Sequence, residues 1–242
     1  MLSAPPSILL LPGLACDAEL FQHQAAALAL HTKVHTKVHI SDAHTRAATL
    51  PEMARLLWAE HPGQQLLVGA SMGGMLALAM HRQAPKRVAA MALLGSTARP
   101  DTPELITLRT RACELFAAGR MDEVLRANVL FAFHPHGARA PGLVDRYLAM
   151  IRRAGAAQLI QQNRAVMARV DSRPTLPHVR CPVLLACGEA DLLTPPECSR
   201  EMATLMPQAQ LDVVPGAGHM LTMEQPERVT ALLLRWLKMQ GA

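Results

Sequence analysis

Short apolar runs and longer amphipathic stretches alternate along the chain, and that alternation predicts its architecture. Residues 7–11, SILLL, form an apolar run that stops at Pro12-Gly13. LLVGA at 66–70, RVAAMALL at 87–94 and PVLLAC at 182–187 have the same character. None of these runs alternates with polar residues, as expected of strands covered on both faces of a parallel sheet. QLDVVPG at 210–216 adds a further strand. Between the runs, apolar residues recur at helical spacing. Asp17 is placed to cap a helix whose apolar stripe is Leu20, Phe21, Ala25 and Leu28. Thr49-Leu50-Pro51-Glu52 reads as a capping box opening a helix that ends near His61, and Thr194-Pro195-Pro196-Glu197 reads as a second one. A last helix, at about 226–239, sets Val229, Leu232, Leu233, Trp236 and Leu237 on one face.

Two segments break the rhythm. Residues 31–40, HTKVHTKVHI, contain the unit HTKV twice. On a strand, Thr32, Val34, Thr36, Val38 and Ile40 share one face, with His31, Lys33, His35, Lys37 and His39 on the other. Three histidines four apart could also serve a metal on a helix. The strand reading explains every residue, so we expect an edge strand whose His and Lys face solvent and bind no metal. From about 98 to 176 there are helical segments, near 120–132, 141–153 and 156–169 among others, and no convincing strand. The expectation is an α/β architecture of about six mostly parallel strands with helices on both faces. The core spans 1–97 and 177–242, and a helical insertion spans 98–176.

Composition narrows the function. The chain has 242 residues and a formal net charge of +5, yet only 3% aromatic and 18% charged residues. Without a basic run or aromatic residues to stack on bases, nucleic-acid binding is not expected. The insertion holds twelve arginines, no lysine and seven acids, so all the excess charge lies there. Solvated helix faces account for that. A sharper alternative has Arg109, Arg152 or Arg153 facing the pocket and binding an anionic substrate group. Five scattered cysteines fit neither a disulfide framework nor a zinc site, which points to a reducing compartment. The first residues carry no positive charge, and no stretch is long enough to span a membrane. A soluble, cytoplasmic protein is expected; the oligomeric state is open.

The chemistry is carried by three loops. Gly69-Ala70-Ser71-Met72-Gly73 matches G-x-S-x-G between a buried strand and a helix. Such a sharp turn pushes the Ser71 hydroxyl out above the sheet. Glycines stand two residues either side because larger side chains would collide there. A serine hydroxyl needs a base. Of the 11 histidines, His219 lies in the Gly-rich loop Pro215-Gly216-Ala217-Gly218 that follows a strand. His81, on the helix after the serine, is expected to face solvent. The base needs an orienting acid. Asp191, after the 182–187 strand, is the choice over Glu189.

The stretches LLLPGLACD, GASMGG, CGEADLLTPP and GAGHMLTMEQPE resemble the α/β-hydrolase superfamily, in its short bacterial esterase-like branch. The resemblance covers about 7–97 and 177–240. It implies that the insertion is a cap over the active site, and that the backbone N–H groups of Leu14 and Met72 form an oxyanion hole. Many members carry His-Gly before the Leu14 position, where this chain has Pro12-Gly13. It also implies acyl transfer on a small-molecule acyl substrate, through an acyl-enzyme on Ser71, without cofactor or metal. Carboxylic-ester hydrolysis demands least beyond the triad. The same triad serves carbon–carbon bond hydrolases, thioesterases, lactonases and acyltransferases, and a non-catalytic ligand-binding protein on this fold is the alternative of another class.

Overall fold

The apolar runs lie side by side in one sheet. The computed structural model describes residues 6–31 and 36–239. Among these, the strands are β1 (Ser7–Leu11), β2 (Val38–Ile40), β3 (Gln65–Ala70), β4 (Val88–Leu94), β5 (Val183–Gly188) and β6 (Gln210–Val214). Their order is β2-β1-β3-β4-β5-β6, and every neighbouring pair is parallel. Successive residues of a run serve opposite faces. Ile8, Leu10, Leu66, Val68 and Ala70 pack into one core, while Leu9, Leu11 and Leu67 pack into the other. The first core is covered by α1 (Gln22–His31) and α10 (Pro226–Met239). The second is covered by α3 (Leu50–Glu60), α4 (Met72–Gln83) and α8 (Pro196–Leu205). Two single turns, α2 (Ala43–Arg46) and α9 (Leu221–Glu224), complete the core helices among the described residues.

Local signals hold where neighbours do not compete for them. Asp17 caps the turn over Ala18–Phe21, accepting the Glu19 N–H at 2.9 Å. At α3, Thr49 Oγ1 accepts the Glu52 N–H at 3.3 Å and Glu52 Oε2 accepts the Thr49 N–H at 3.0 Å, a complete capping box. The 31–40 expectation needs correction. Its edge position is right, since β2 pairs with β1 alone, but the strand is only Val38–Ile40. The helix formers of α1 carry the helix on through His31, and residues 32–35 lie outside the described residues. Lys37 is exposed, whereas His39 is half-buried with its ring 5.1 Å from that of His61. His81 also departs from expectation. It is buried on α4, where loss of water lowers its pKa.

Between β4 and β5 the chain leaves the sheet for α5 (Pro103–Ala117), α6 (Met121–Ala132) and α7 (Leu143–Met167). The Ser172 N–H donates to the Ala98 carbonyl at 2.9 Å, so the two ends of this excursion meet. The two helices expected at 141–153 and 156–169 form one run interrupted at Gly155, whose φ of 77° favours glycine.

Candidate active site

β3 ends at Ala70, and the chain turns into α4 through Ser71, whose φ of 53° and ψ of −116° are strained for a side chain with a Cβ. Such a conformation costs about 1–3 kcal/mol and survives only because its surroundings over-determine it. The Ser71 N–H donates to the Leu94 carbonyl at 2.9 Å, and Ser96 Oγ donates to the Ser71 carbonyl at 2.8 Å. The flanking glycines are required by space. A Cβ on Gly69 would strike the Gly73 carbonyl, and one on Gly73 would strike that of Leu11. The loop after β1 closes on the same point, since a Cβ on Gly13 would sit 3.4 Å from that of Ser71.

Two other strand ends supply the partners. His219 follows β6, and its Nε2 lies 2.9 Å from Ser71 Oγ. Its Nδ1 lies 2.9 Å from Oδ2 of Asp191, which follows β5. The rival acid is elsewhere: Glu189 Oε1 accepts the Gly216 N–H at 2.6 Å. Asp191 is 1% exposed and the His219 side chain 8%. Burial pushes the Asp191 carboxyl upward. The His219 ring and the N–H and hydroxyl of Thr194 outweigh burial and hold it below the usual carboxylate range. The site therefore sets an ionised acid, a ring and a hydroxyl in line, at a helix N-terminus that favours negative charge. Leu14 lies in the loop after β1, and Met72 opens α4 directly after Ser71.

Over residues 6–226 the chain matches the model of the alpha/beta hydrolase fold family. This protein belongs to the α/β-hydrolase family. A thermophilic esterase from Thermogutta terrifontis, in a malate-bound structure, superposes with a TM-score of 0.86 at 28% identity, covering 99% of this chain and 92% of that one. The enol-lactonase from Burkholderia xenovorans LB400 superposes with a TM-score of 0.84 over 96% of this chain and 91% of its own, a likeness of fold at 22% identity. A Serratia proteamaculans protein, RutD, whose name proposes carbamate hydrolysis, is 27% identical over 252 residues, spanning 98% of this chain and 93% of its own. Hydrolysis is the chemistry these matches support.

Two residues of this α/β-hydrolase went unread in the sequence. Thr194 is not the cap of a capping box; the residue before α8 is Pro195. The carboxylate of Asp191 takes both of its donors, with the Thr194 N–H on Oδ1 at 2.8 Å and its Oγ1 on Oδ2 at 2.9 Å. Glu224 lies beneath the histidine loop. Its carboxylate accepts the Gly218 N–H at 2.8 Å and, from the end of α6, the His134 N–H at 2.8 Å. Burial pushes it up to about 7 against the pull of those two donors and of His219.

The arginines proposed for an anionic substrate are engaged elsewhere. Arg109 bonds to Asp101 at 2.8 Å and to Asn163 at 2.9 Å. Arg152 pairs with Asp122, and Arg153 with Asp17 and Glu19. Among the described residues, no group of three or more His, Cys, Asp or Glu is arranged to hold a metal ion, and no helix is long and apolar enough to cross a membrane.

Proposed function

We propose that this α/β-hydrolase is a serine hydrolase that cleaves a carboxylic ester, or a related acyl compound, through an acyl-enzyme on Ser71. The observation that carries this reading is the 2.9 Å approach of His219 Nε2 to Ser71 Oγ, with Asp191 on the opposite ring nitrogen. A carboxylate can only accept, so it keeps the proton on Nδ1 and leaves the Nε2 lone pair facing the hydroxyl. As Ser71 Oγ adds to the substrate carbonyl carbon, its proton passes to Nε2. The carbonyl oxygen becomes an oxyanion held by the N–H groups of Leu14 and Met72, an effect worth about 3–4 kcal/mol per donor in well-studied hydrolases. Collapse expels the alcohol, which takes the proton from His219. Water then repeats the sequence, releasing the acid and restoring Ser71. The inserted helices would act as the cap over this site.

Ester cleavage is favoured because it needs nothing beyond this machinery and because a 28% identical neighbour is an esterase. Carbamate cleavage is the second reading, favoured by the relative RutD, and would proceed through a carbamoyl group on the same serine. A fluorophosphonate probe with mass spectrometry, and short p-nitrophenyl esters beside aryl carbamates, test both. The adduct is expected on Ser71. His219→Ala should cost nearly as much activity as Ser71→Ala, Asp191→Asn somewhat less, and Glu189→Gln little. Labelling that survives Ser71→Ala unchanged overturns the assignment. A folded protein that neither labels nor turns over any ester or carbamate would be a ligand-binding protein instead.

A further inference from the structure

The loop that carries Leu14 is held from outside the sheet. Ala15 adopts a φ of 56°, a left-handed conformation that a residue with a Cβ rarely keeps unaided. Its N–H donates at 2.6 Å to Oε1 of Gln162, which lies on α7 of the helical insertion, 147 residues away in sequence. Gln162 is fully buried, and its amide is used on both sides. Its Nε2 donates to the His44 carbonyl at 3.1 Å and to Gln158 Oε1 at 3.0 Å. The His44 ring in turn bonds through Nε2 to the Cys16 carbonyl at 2.8 Å. A carbonyl only accepts, so that nitrogen carries the proton. Burial also lowers the His44 pKa, against the pull of Cys16, Asp42 and Asp17, which favours a neutral ring.

Gln162 does not act alone. Gln158 donates to the Thr45 carbonyl at 3.3 Å and Gln161 to the Ala47 carbonyl at 2.9 Å. Three glutamines of one helix thus grip the backbone of residues 44–47, and one of them reaches through to Ala15. These are amides, whose strength does not depend on salt or on pH. They join the insertion to the loop directly beside the N–H of Leu14.

We propose that Gln162 is the positioning residue of the oxyanion loop, so that Leu14 is correctly aimed only while the helical insertion is docked. The inference rests on the serine-hydrolase reading above. Substrate does not touch Gln162; the residue works through the backbone at Ala15. Removing the Oε1 acceptor orphans a buried N–H in a strained turn, and the loop relaxes away from Ser71.

Gln162→Leu and Gln162→Glu test this, each compared with the wild-type protein well below its unfolding temperature. Gln162→Leu should slow fluorophosphonate labelling of Ser71 by at least about tenfold, part of the 10²–10³ lost when an oxyanion donor is deleted. Affinity for a boronate that mimics the tetrahedral state should weaken more than KM changes. Gln162→Glu gives a signature that simple loss of packing does not. Ionised, the new side chain accepts from Ala15 but cannot donate to the His44 carbonyl. Protonated, it accepts from Ala15 and donates its single O–H to the His44 carbonyl, losing only the second donation that the amide makes to Gln158. The ratio of its kcat/KM to that of wild type should therefore rise as pH falls from about 8 to 5, a window set by burial of the new carboxyl. Should the leucine variant fail to fold, this ratio decides alone. Wild-type labelling rates in folded Gln162→Leu, or a flat Gln162→Glu ratio, overturn the proposal. Absence of Ser71 labelling in the wild-type protein instead overturns the serine-hydrolase reading.

Discussion

Replacing Thr194 by valine keeps the shape of the side chain and removes one oxygen. In the native site, Thr194 Oγ1 donates to Asp191 Oδ2 at 2.9 Å, and the N–H groups of Thr194 and Leu193 donate to Oδ1 at 2.8 and 2.9 Å. His219 Nδ1 supplies the remaining contact at 2.9 Å. Asp191 is 1% exposed, so water has no room to replace the missing donor. A hydrogen bond to a charged group contributes about 1.5–3 kcal/mol, and Thr194→Val should lose that much in urea unfolding at neutral pH. Thr194→Ser keeps the oxygen and should restore that stability. A valine variant with wild-type unfolding free energy would refute the role of this hydroxyl.

Other outcomes follow from buried charge. The Asp101 side chain, 1% exposed, pairs with Arg109 and Arg169, each at 2.8 Å. Asp101→Ala leaves both guanidinium groups without it and should cost about 3–5 kcal/mol in chemical denaturation; a loss under about 1 would contradict the pairing. Glu224 is shifted from 4.5 to about 7 by burial, so the folded state holds a proton that the unfolded state releases. Its contribution to stability is therefore full below about pH 4.5 and lost as pH rises through 7. Wild-type stability relative to Glu224→Gln should fall over that range, and a difference that stays flat with pH would refute the shift.

What could be read from the sequence was what neighbours in the chain decide. The strands at SILLL and LLVGA, the turn at Ser71 and the Thr49 capping box depend on residues within a few positions, and each appears where its pattern places it. Thr194 carries the same capping signature as Thr49 but stands three residues after Asp191, and a buried carboxylate is the stronger claimant for its donors. His81 reads as a solvated helix residue and Arg109 as a candidate to face the pocket. His81 is buried where α4 packs on the core, and Arg109 is half-buried against Asp101 and Asn163, partners that no local pattern reveals. Asp191 could be preferred to Glu189 from strand position, but only the distance to His219 separates two carboxylates two residues apart. Gln162 gave no signal at all, because its partners Ala15 and His44 are more than a hundred residues distant.

The meeting of Ser172 with Ala98 at the root of the insertion makes the molecule modular. β4 and β5 run parallel, so the chain leaves at the carboxyl end of β4 and re-enters at the amino end of β5, but the Ala98–Ser172 bond closes the excursion before that return. Closing such an excursion grows costlier only slowly, by about 0.6 kcal/mol for each doubling of its length. The sheet and its three strand-end loops can therefore accept a foreign excursion of different size. A graft that changes what the pocket admits would need to bring its own amide to Ala15, and a backbone N–H to Glu224 where His134 now supplies one. On the proposed reading of these helices as a cap, the stretch between β4 and β5 is the place to exchange selectivity between relatives while leaving Ser71, Asp191 and His219 in register.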